Sequence, residues 1–113
     1  MESLNKDENS AVESLFAEIK YYTDPELLKK EIKTSASRDL IIIDYSSKRF
    51  DPIIFTQKVK YLSKDIAVIL IMSNRKRAAE AYKVGADDYI LKPLNIERLH
   101  KAVKNIQHRR EQV

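Results

Sequence analysis

The sequence predicts an α/β fold, a mostly parallel sheet held between two layers of helices, and three observations predict it. Strand-like and helix-like patterns alternate along the chain, the signature of βαβ units. Two runs, Leu40-Ile41-Ile42-Ile43 and Ile66 to Met72, are continuously apolar, which suits strands covered on both faces. Two cap-plus-proline pairs, Asp24-Pro25 and Asp51-Pro52, each mark the first turn of a helix, because aspartate accepts the exposed backbone N–H groups and proline has none to lose. A length of 113 residues suits one domain, residues 1–113, built on one core.

Ser10 caps the first predicted helix, with Glu13 completing a capping box, and Val12, Leu15, Phe16 and Ile19 line one of its faces. Lys20 to Thr23 reads as a strand, and the helix opened by Asp24-Pro25 runs to about Thr34 with Leu28 and Ile32 inward. Leu40 to Asp44 is the expected central strand. The helix opened by Asp51-Pro52 carries Ile53, Phe55, Val59 and Leu62, and Ile66 to Met72 follows as the next buried strand. A small alanine-rich helix (Ala78, Ala79, Ala81) then stops at Gly85, the chain's only glycine, which reads as the left-handed residue after a helix end. Asp87 to Leu91 is the last strand. Asn95 caps a terminal helix whose Ile96, Leu99, Val103 and Ile106 share one face. Together the pattern predicts five strands and five helices joined by right-handed crossovers.

With 43% hydrophobic and 34% charged residues the chain reads as globular, since a disordered chain would lack the branched aliphatic side chains that offset chain entropy. The longest apolar run is far too short to cross a bilayer, so no membrane partner is expected. The polar, acidic start Met1-Glu2-Ser3-Leu4-Asn5 lacks the basic and apolar regions of a secretory signal, and cytoplasmic location is the expectation. Cysteine is absent, which excludes disulfides and thiolate metal sites. A net charge of +4 would allow weak attraction to nucleic acid. The basic residues, however, are interleaved with glutamate along helical segments, and stacking platforms beyond Tyr21 and Tyr22 are missing, so direct nucleic-acid binding is not expected.

Chemistry is suggested by what ends the strands. Asp44 closes the first apolar run, Ser73 follows the second, and Lys92-Pro93 follows the third strand. In a parallel sheet a carboxylate, a hydroxyl and an ammonium so placed gather at one edge, where open α/β sheets place their sites. Phosphoryl transfer to an aspartate needs a carboxylate nucleophile, a divalent cation and positioned donors. Asp44 would be the nucleophile, with Lys92 and Ser73 donating to the phosphoryl oxygens. Mg²⁺ prefers oxygen ligands and keeps several waters, so Asp7, Glu8, Asp44 and a backbone carbonyl just beyond Asp44, at Ser46, would suffice to hold it. Each residue taken alone has a plainer reading: Asp44 as a turn former, Ser73 as a loop start, Lys92 as an exposed cation, Asp7-Glu8 as complements to a helix dipole.

The constellation resembles the receiver domain of two-component response regulators, and the resemblance covers nearly the whole chain. Asp39-Leu40-Ile41-Ile42-Ile43-Asp44 looks like the family's third strand with its phosphoacceptor. Val68-Ile69-Leu70-Ile71-Met72-Ser73 looks like its fourth strand with the hydroxyl. Gly85-Ala86-Asp87-Asp88-Tyr89-Ile90-Leu91-Lys92-Pro93 is the most specific match, because glycine, aromatic, lysine and proline all fall in register. The resemblance implies a flavodoxin-like (CheY-like) three-layer α/β/α sandwich with a five-stranded parallel sheet of order 2-1-3-4-5. It implies a histidine kinase or phosphotransfer protein as phosphoryl donor, and no enzymatic role beyond promoting the domain's own phosphorylation and dephosphorylation. It also implies a switch in which the hydroxyl of Ser73 moves toward the phosphoryl group and Tyr89 turns inward. That switch would re-shape the face made by the fourth helix, fifth strand and fifth helix, through which a homodimer could form.

The chain departs from the family pattern in four places. The segment before Asp7 carries one large aliphatic where the family has an apolar central strand, so the first strand is the doubtful element. The spacings from Glu8 to Asp44 and from Ser73 to Lys92 are short, which trims the first and fourth helices. The segment Tyr45-Ser46-Ser47-Lys48-Arg49 lacks the usual proline. The alternative expectation is therefore a pseudo-receiver, an interaction or dimerisation module that works without phosphorylation.

Overall fold

The computed structural model describes residues 40–44 and 51–111. Three strands, β1 (Leu40–Asp44), β2 (Ala67–Met72) and β3 (Asp88–Leu91), alternate with three helices, α1 (Pro52–Leu62), α2 (Ala78–Lys83) and α3 (Ile96–Glu111). The strands are parallel in the order β1-β2-β3, with Asp44 in register with Ile71 and Met72 with Leu91. They are the last three of the five strands expected, adjacent in the order expected of them. β2 and β3 each open one residue later than the sequence suggested. The predicted strand at residues 20–23, the helices opened by Ser10 and by Asp24-Pro25, the doubtful first strand, and the candidate ligands Asp7, Glu8 and Ser46 all lie outside the described residues.

β2 is buried along its whole length because both of its faces are covered. Side chains alternate across a strand, so Val68, Leu70 and Met72 pack with Phe55 and Val59 of α1, Ala81 of α2 and Tyr89. On the opposite face Ala67, Ile69 and Ile71 meet Leu99, Ala102, Val103 and Ile106 of α3. The continuous apolar run is thus explained by two cores, one on each side of a shared sheet.

The helix ends follow from local chemistry. Asp51 Oδ1 accepts the N–H groups of Ile53 at 2.9 Å and Ile54 at 3.4 Å, with Pro52 at the first helical position of α1. Within α1, Thr56 is fully buried and satisfied because its hydroxyl donates to the Pro52 carbonyl at 2.7 Å. Asn95 Oδ1 accepts from the N–H groups of Glu97 and Arg98 and so caps α3. α2 has six residues, in keeping with the short spacing between Ser73 and Lys92. It ends at Gly85, whose φ of +101° lets the Gly85 N–H reach the Tyr82 carbonyl and the Ala86 N–H reach the Ala81 carbonyl.

Candidate functional site

Asp44 is the last residue of β1 and Lys92 the first beyond β3, so parallel pairing brings both to the C-terminal edge of the sheet, on either side of β2. Two inter-strand spacings, about 10 Å, separate their backbones, a gap that a lysine side chain can close from one side. It does so here: Lys92 Nζ lies 2.7 Å from Asp44 Oδ1. The contact is an ion pair and not an aligned hydrogen bond, for both Asp44 oxygens are out of solvent and neither has a hydrogen-bond donor among the described residues. One carboxylate oxygen is held by charge, and Oδ2 has no partner among the described residues. The Lys92 backbone N–H donates to the Met72 carbonyl at 2.8 Å, which fixes the lysine against the end of β2. The Lys92-Pro93 peptide is cis.

Ser73 is exposed and follows the same Met72, so the third predicted group stands at the same edge. Tyr89 lies on β3 and is buried, with its hydroxyl donating to the Asn74 carbonyl at 2.7 Å. Burial pushes the Tyr89 hydroxyl's pKa up, against the Arg77 backbone amide and positive charge, which favour the ionised form. The aromatic thus bonds directly to the connection that carries Ser73.

Two further clusters frame this edge. Arg77 reaches Asp51 with both terminal guanidinium nitrogens, each contact 3.0 Å long, and also meets Glu80 at 3.2 Å. The Arg77 guanidinium, and less so the Ile53 and Ile54 amides, hold the Asp51 carboxyl below its ordinary pKa against the opposing effect of burial. Asp88 is gripped by Arg98 through contacts of 3.0 and 2.7 Å, by the Tyr89 N–H at 2.8 Å, and by the Tyr82 hydroxyl at 3.3 Å. The sequence reading identified Asp51 as a cap and gave Asp88, Arg77 and Arg98 no role. The one signal available was the tandem Asp87-Asp88, which looks like a turn when read locally. Among the described residues there is no cluster of three or more metal-ligating side chains, and no helix is long and apolar enough to cross a membrane.

Residues 7–104 match the profile of the response regulator receiver domain. The chain belongs to the response regulator receiver family. It is 31% identical over 74 residues to the sensory transduction protein LytR of Staphylococcus haemolyticus, a match covering 66% of this chain and 29% of that protein. It is 34% identical over 76 residues to the transcriptional regulatory protein ZraR of Salmonella typhimurium, covering 65% of this chain and 17% of that protein. The receiver chain spans less than a third of the length of these curated relatives. Among solved structures it is similar to a response regulator receiver domain from Clostridium thermocellum, with a TM-score of 0.81, 20% identity and coverage of 95% of this chain and 87% of that one. It is also similar to a response regulator from Burkholderia pseudomallei that holds a phosphorylated aspartic acid, a calcium ion and citrate. That match has a TM-score of 0.72, 17% identity and coverage of 94% of this chain and 64% of that one. At these identities the structural likeness establishes the fold, which is the CheY-like receiver fold, and the family match makes the chain a receiver domain of two-component signalling.

Proposed function

We propose that this receiver takes a phosphoryl group on Asp44 from a histidine kinase or phosphotransfer protein. The observation that carries the reading is the 2.7 Å Asp44–Lys92 pair with Oδ2 unpartnered among the described residues, at the strand end where Ser73 also stands. A buried carboxylate oxygen without a donor is costly unless something else uses it. In the transfer, an Asp44 oxygen forms a bond to phosphorus as the donor's P–N bond breaks, and the electron pair and a proton end on the departing imidazole. Lys92 moves its ammonium from the carboxylate to a phosphoryl oxygen. Ser73 donates its hydroxyl to another.

The same unpartnered oxygen fits a hard divalent cation, for which Asp44, Asp7, Glu8 and the Ser46 carbonyl are the ligands we assign. Bound Mg²⁺ would offset the negative charge gathered on the transferred group. The signal then leaves through α2, β3 and α3, where Tyr82 is half exposed and Tyr89 and Asp88 tie the three elements together. A homodimer through this face belongs to the same proposal.

Intact-mass measurement after incubation with Mg²⁺ and a small phosphodonor tests the reading. A phosphoryl adduct on the wild-type chain that disappears in Asp44→Asn supports it. No adduct on the wild type rejects it in favour of a phosphorylation-independent interaction module.

A further inference from the structure

We infer that Arg77 is a positioning residue for phosphoryl uptake, tying the connection that carries Ser73 to the helix that follows the phosphoacceptor segment. The inference rests on the phosphoacceptor reading of Asp44 and adds to it a tether outside the reacting groups.

Two connections leave the C-terminal edge beside Asp44 and Ser73. The one from β1 ends at Asp51, and the one from β2 runs from Ser73 to Arg77. Arg77 joins them with a two-pronged contact, Nη1 to Oδ1 and Nη2 to Oδ2, each 3.0 Å. A fork on a carboxylate fixes angle as well as distance, which one point contact does not. The carboxylate is itself anchored, because Asp51 Oδ1 also caps α1 through the Ile53 N–H at 2.9 Å. Arg77 therefore grips a group that cannot shift without loosening the first turn of α1.

The Ser73 connection is held at three points, and their sources differ. The Met72 carbonyl accepts the Lys92 N–H at 2.8 Å and the Asn74 carbonyl accepts the Tyr89 hydroxyl at 2.7 Å, both from β3 or the residue after it. The third, Arg77 on Asp51, comes from the chain segment that leads directly out of Asp44. The first two set Ser73 relative to Lys92, and the third sets it relative to the phosphoacceptor side. Arg77 also faces the Tyr89 hydroxyl with its charge and its backbone amide, so the two upper anchors touch each other. The Arg77 and Asp51 side chains are 38% and 30% exposed, a setting in which ion pairs add little to stability. What the fork supplies is alignment.

Phosphoryl uptake by the full chain from acetyl phosphate with Mg²⁺, followed by intact mass, reads the effect. Arg77→Gln and Asp51→Asn are expected to slow uptake by about three- to tenfold, well short of the roughly 100-fold that a 1 Å misplacement can cost. Asp51→Asn keeps an oxygen to cap α1, so its loss isolates the tether from the cap. Arg77→Lys, which restores charge without the fork, is expected to recover part of the rate. In the Ser73→Ala background Arg77→Gln is expected to add nothing, the signature of a residue that acts through Ser73. Uptake by Arg77→Gln and Asp51→Asn within twofold of wild type overturns the inference, as does the same fold loss with and without the Ser73 hydroxyl.

Amide exchange gives a readout that needs no phosphoryl chemistry. The Lys76, Arg77 and Ala78 amides should exchange faster in Arg77→Gln while those of α3 hold their rates, and unchanged exchange at these three sinks the tether. A wild-type chain that takes up no phosphoryl group fails the Asp44 reading itself. A wild type that does, with indifferent Arg77 variants, fails this inference alone.

Discussion

Two lysine–aspartate pairs sit at opposite edges of the same three strands, and they are built in opposite ways. At the N-terminal edge Lys60 Nζ lies 2.8 Å from Asp87 Oδ2 and donates to the Ile66 carbonyl at 2.6 Å. The same Oδ2 accepts the Val68 N–H at 2.7 Å, and Arg109 stands 3.7 Å from Oδ1. At the C-terminal edge Asp44 has the Lys92 ammonium and, among the described residues, no directed donor on either oxygen. Exposure does not separate the pairs, at 17% and 20% for Lys60 and Asp87 against 20% and 14% for Lys92 and Asp44. Saturation does. A carboxylate oxygen that accepts two directed hydrogen bonds fastens α1 to the start of β2, whereas neither oxygen of Asp44 has such a bond among the described residues.

The largest effect should come from breaking the saturated pair. Asp87→Ala removes at once the carboxylate partner of Lys60 and the acceptor of the Val68 N–H, leaving the part-buried ammonium without a counter-charge and the amide without its acceptor, and is expected to cost about 2–3 kcal/mol in urea unfolding. Phosphoryl uptake by the remaining folded protein should keep its rate, because the change is at the far edge. A loss in stability below about 1 kcal/mol would mean that this pair is no fastener.

Next comes the glycine that Lys60 packs over. A Cβ on Gly85 would stand 3.3 Å from Lys60 Cγ, and its φ of +101° disfavours any side chain. Gly85→Ala is therefore expected to cost about 1–2 kcal/mol, measured by thermal or urea unfolding. A neutral result would show that the Schellman end of α2 can rebuild without the left-handed residue.

Acid should then distinguish the charged clusters. At Asp88 burial pulls the carboxyl pKa up, but the Arg98 guanidinium, the Tyr89 amide and the Tyr82 hydroxyl outweigh it and hold the group below its ordinary value of 3.8. Asp51 is likewise lowered, chiefly by Arg77. A depressed carboxyl contributes stability that is present above the unfolded value and lost as pH falls through the folded one. Unfolding free energy should thus be insensitive to these two groups near neutrality and fall below about pH 4. Arg98→Gln should cost about 1 kcal/mol at neutral pH and flatten that acid limb. An acid limb of unchanged slope in Arg98→Gln would remove Asp88 from the account.

What could be read from the sequence divides along the same lines. β1 and β2 were legible because continuous apolar runs demand cover on both faces, and α1 and α3 because Asp51 and Asn95 cap them. The meeting of Asp44 and Lys92 was legible too, since parallel strands carry whatever ends them to one edge. The saturated contacts were not. Asp87 finds Lys60 and Asp88 finds Arg98 only after α1 and α3 have packed on the sheet, and no local pattern tells one of two adjacent aspartates to go to one helix and its neighbour to another. The Arg77–Asp51 fork is of the same kind, a contact between two connections whose approach is set by the packing of α1 and α2.

The smallest stability effect is expected where the proposed chemistry would lose most. Asp44→Asn is expected to abolish phosphoryl uptake if the proposed function holds, yet should change unfolding free energy by less than about 0.5 kcal/mol in either direction in Mg²⁺-free buffer. The substitution removes the attraction to Lys92, but it also removes the cost of holding a charged group whose oxygens are out of solvent and, among the described residues, short of donors. These terms oppose each other. At Asp87 they do not, because the charge there already has its hydrogen bonds, so Asp87→Asn should be clearly destabilising by comparison. Paired urea titrations of the two variants decide the matter. If Asp44→Asn costs as much as Asp87→Asn, the C-terminal pair is a fastener like its counterpart, and the spare oxygen is not what sets this edge of the sheet apart.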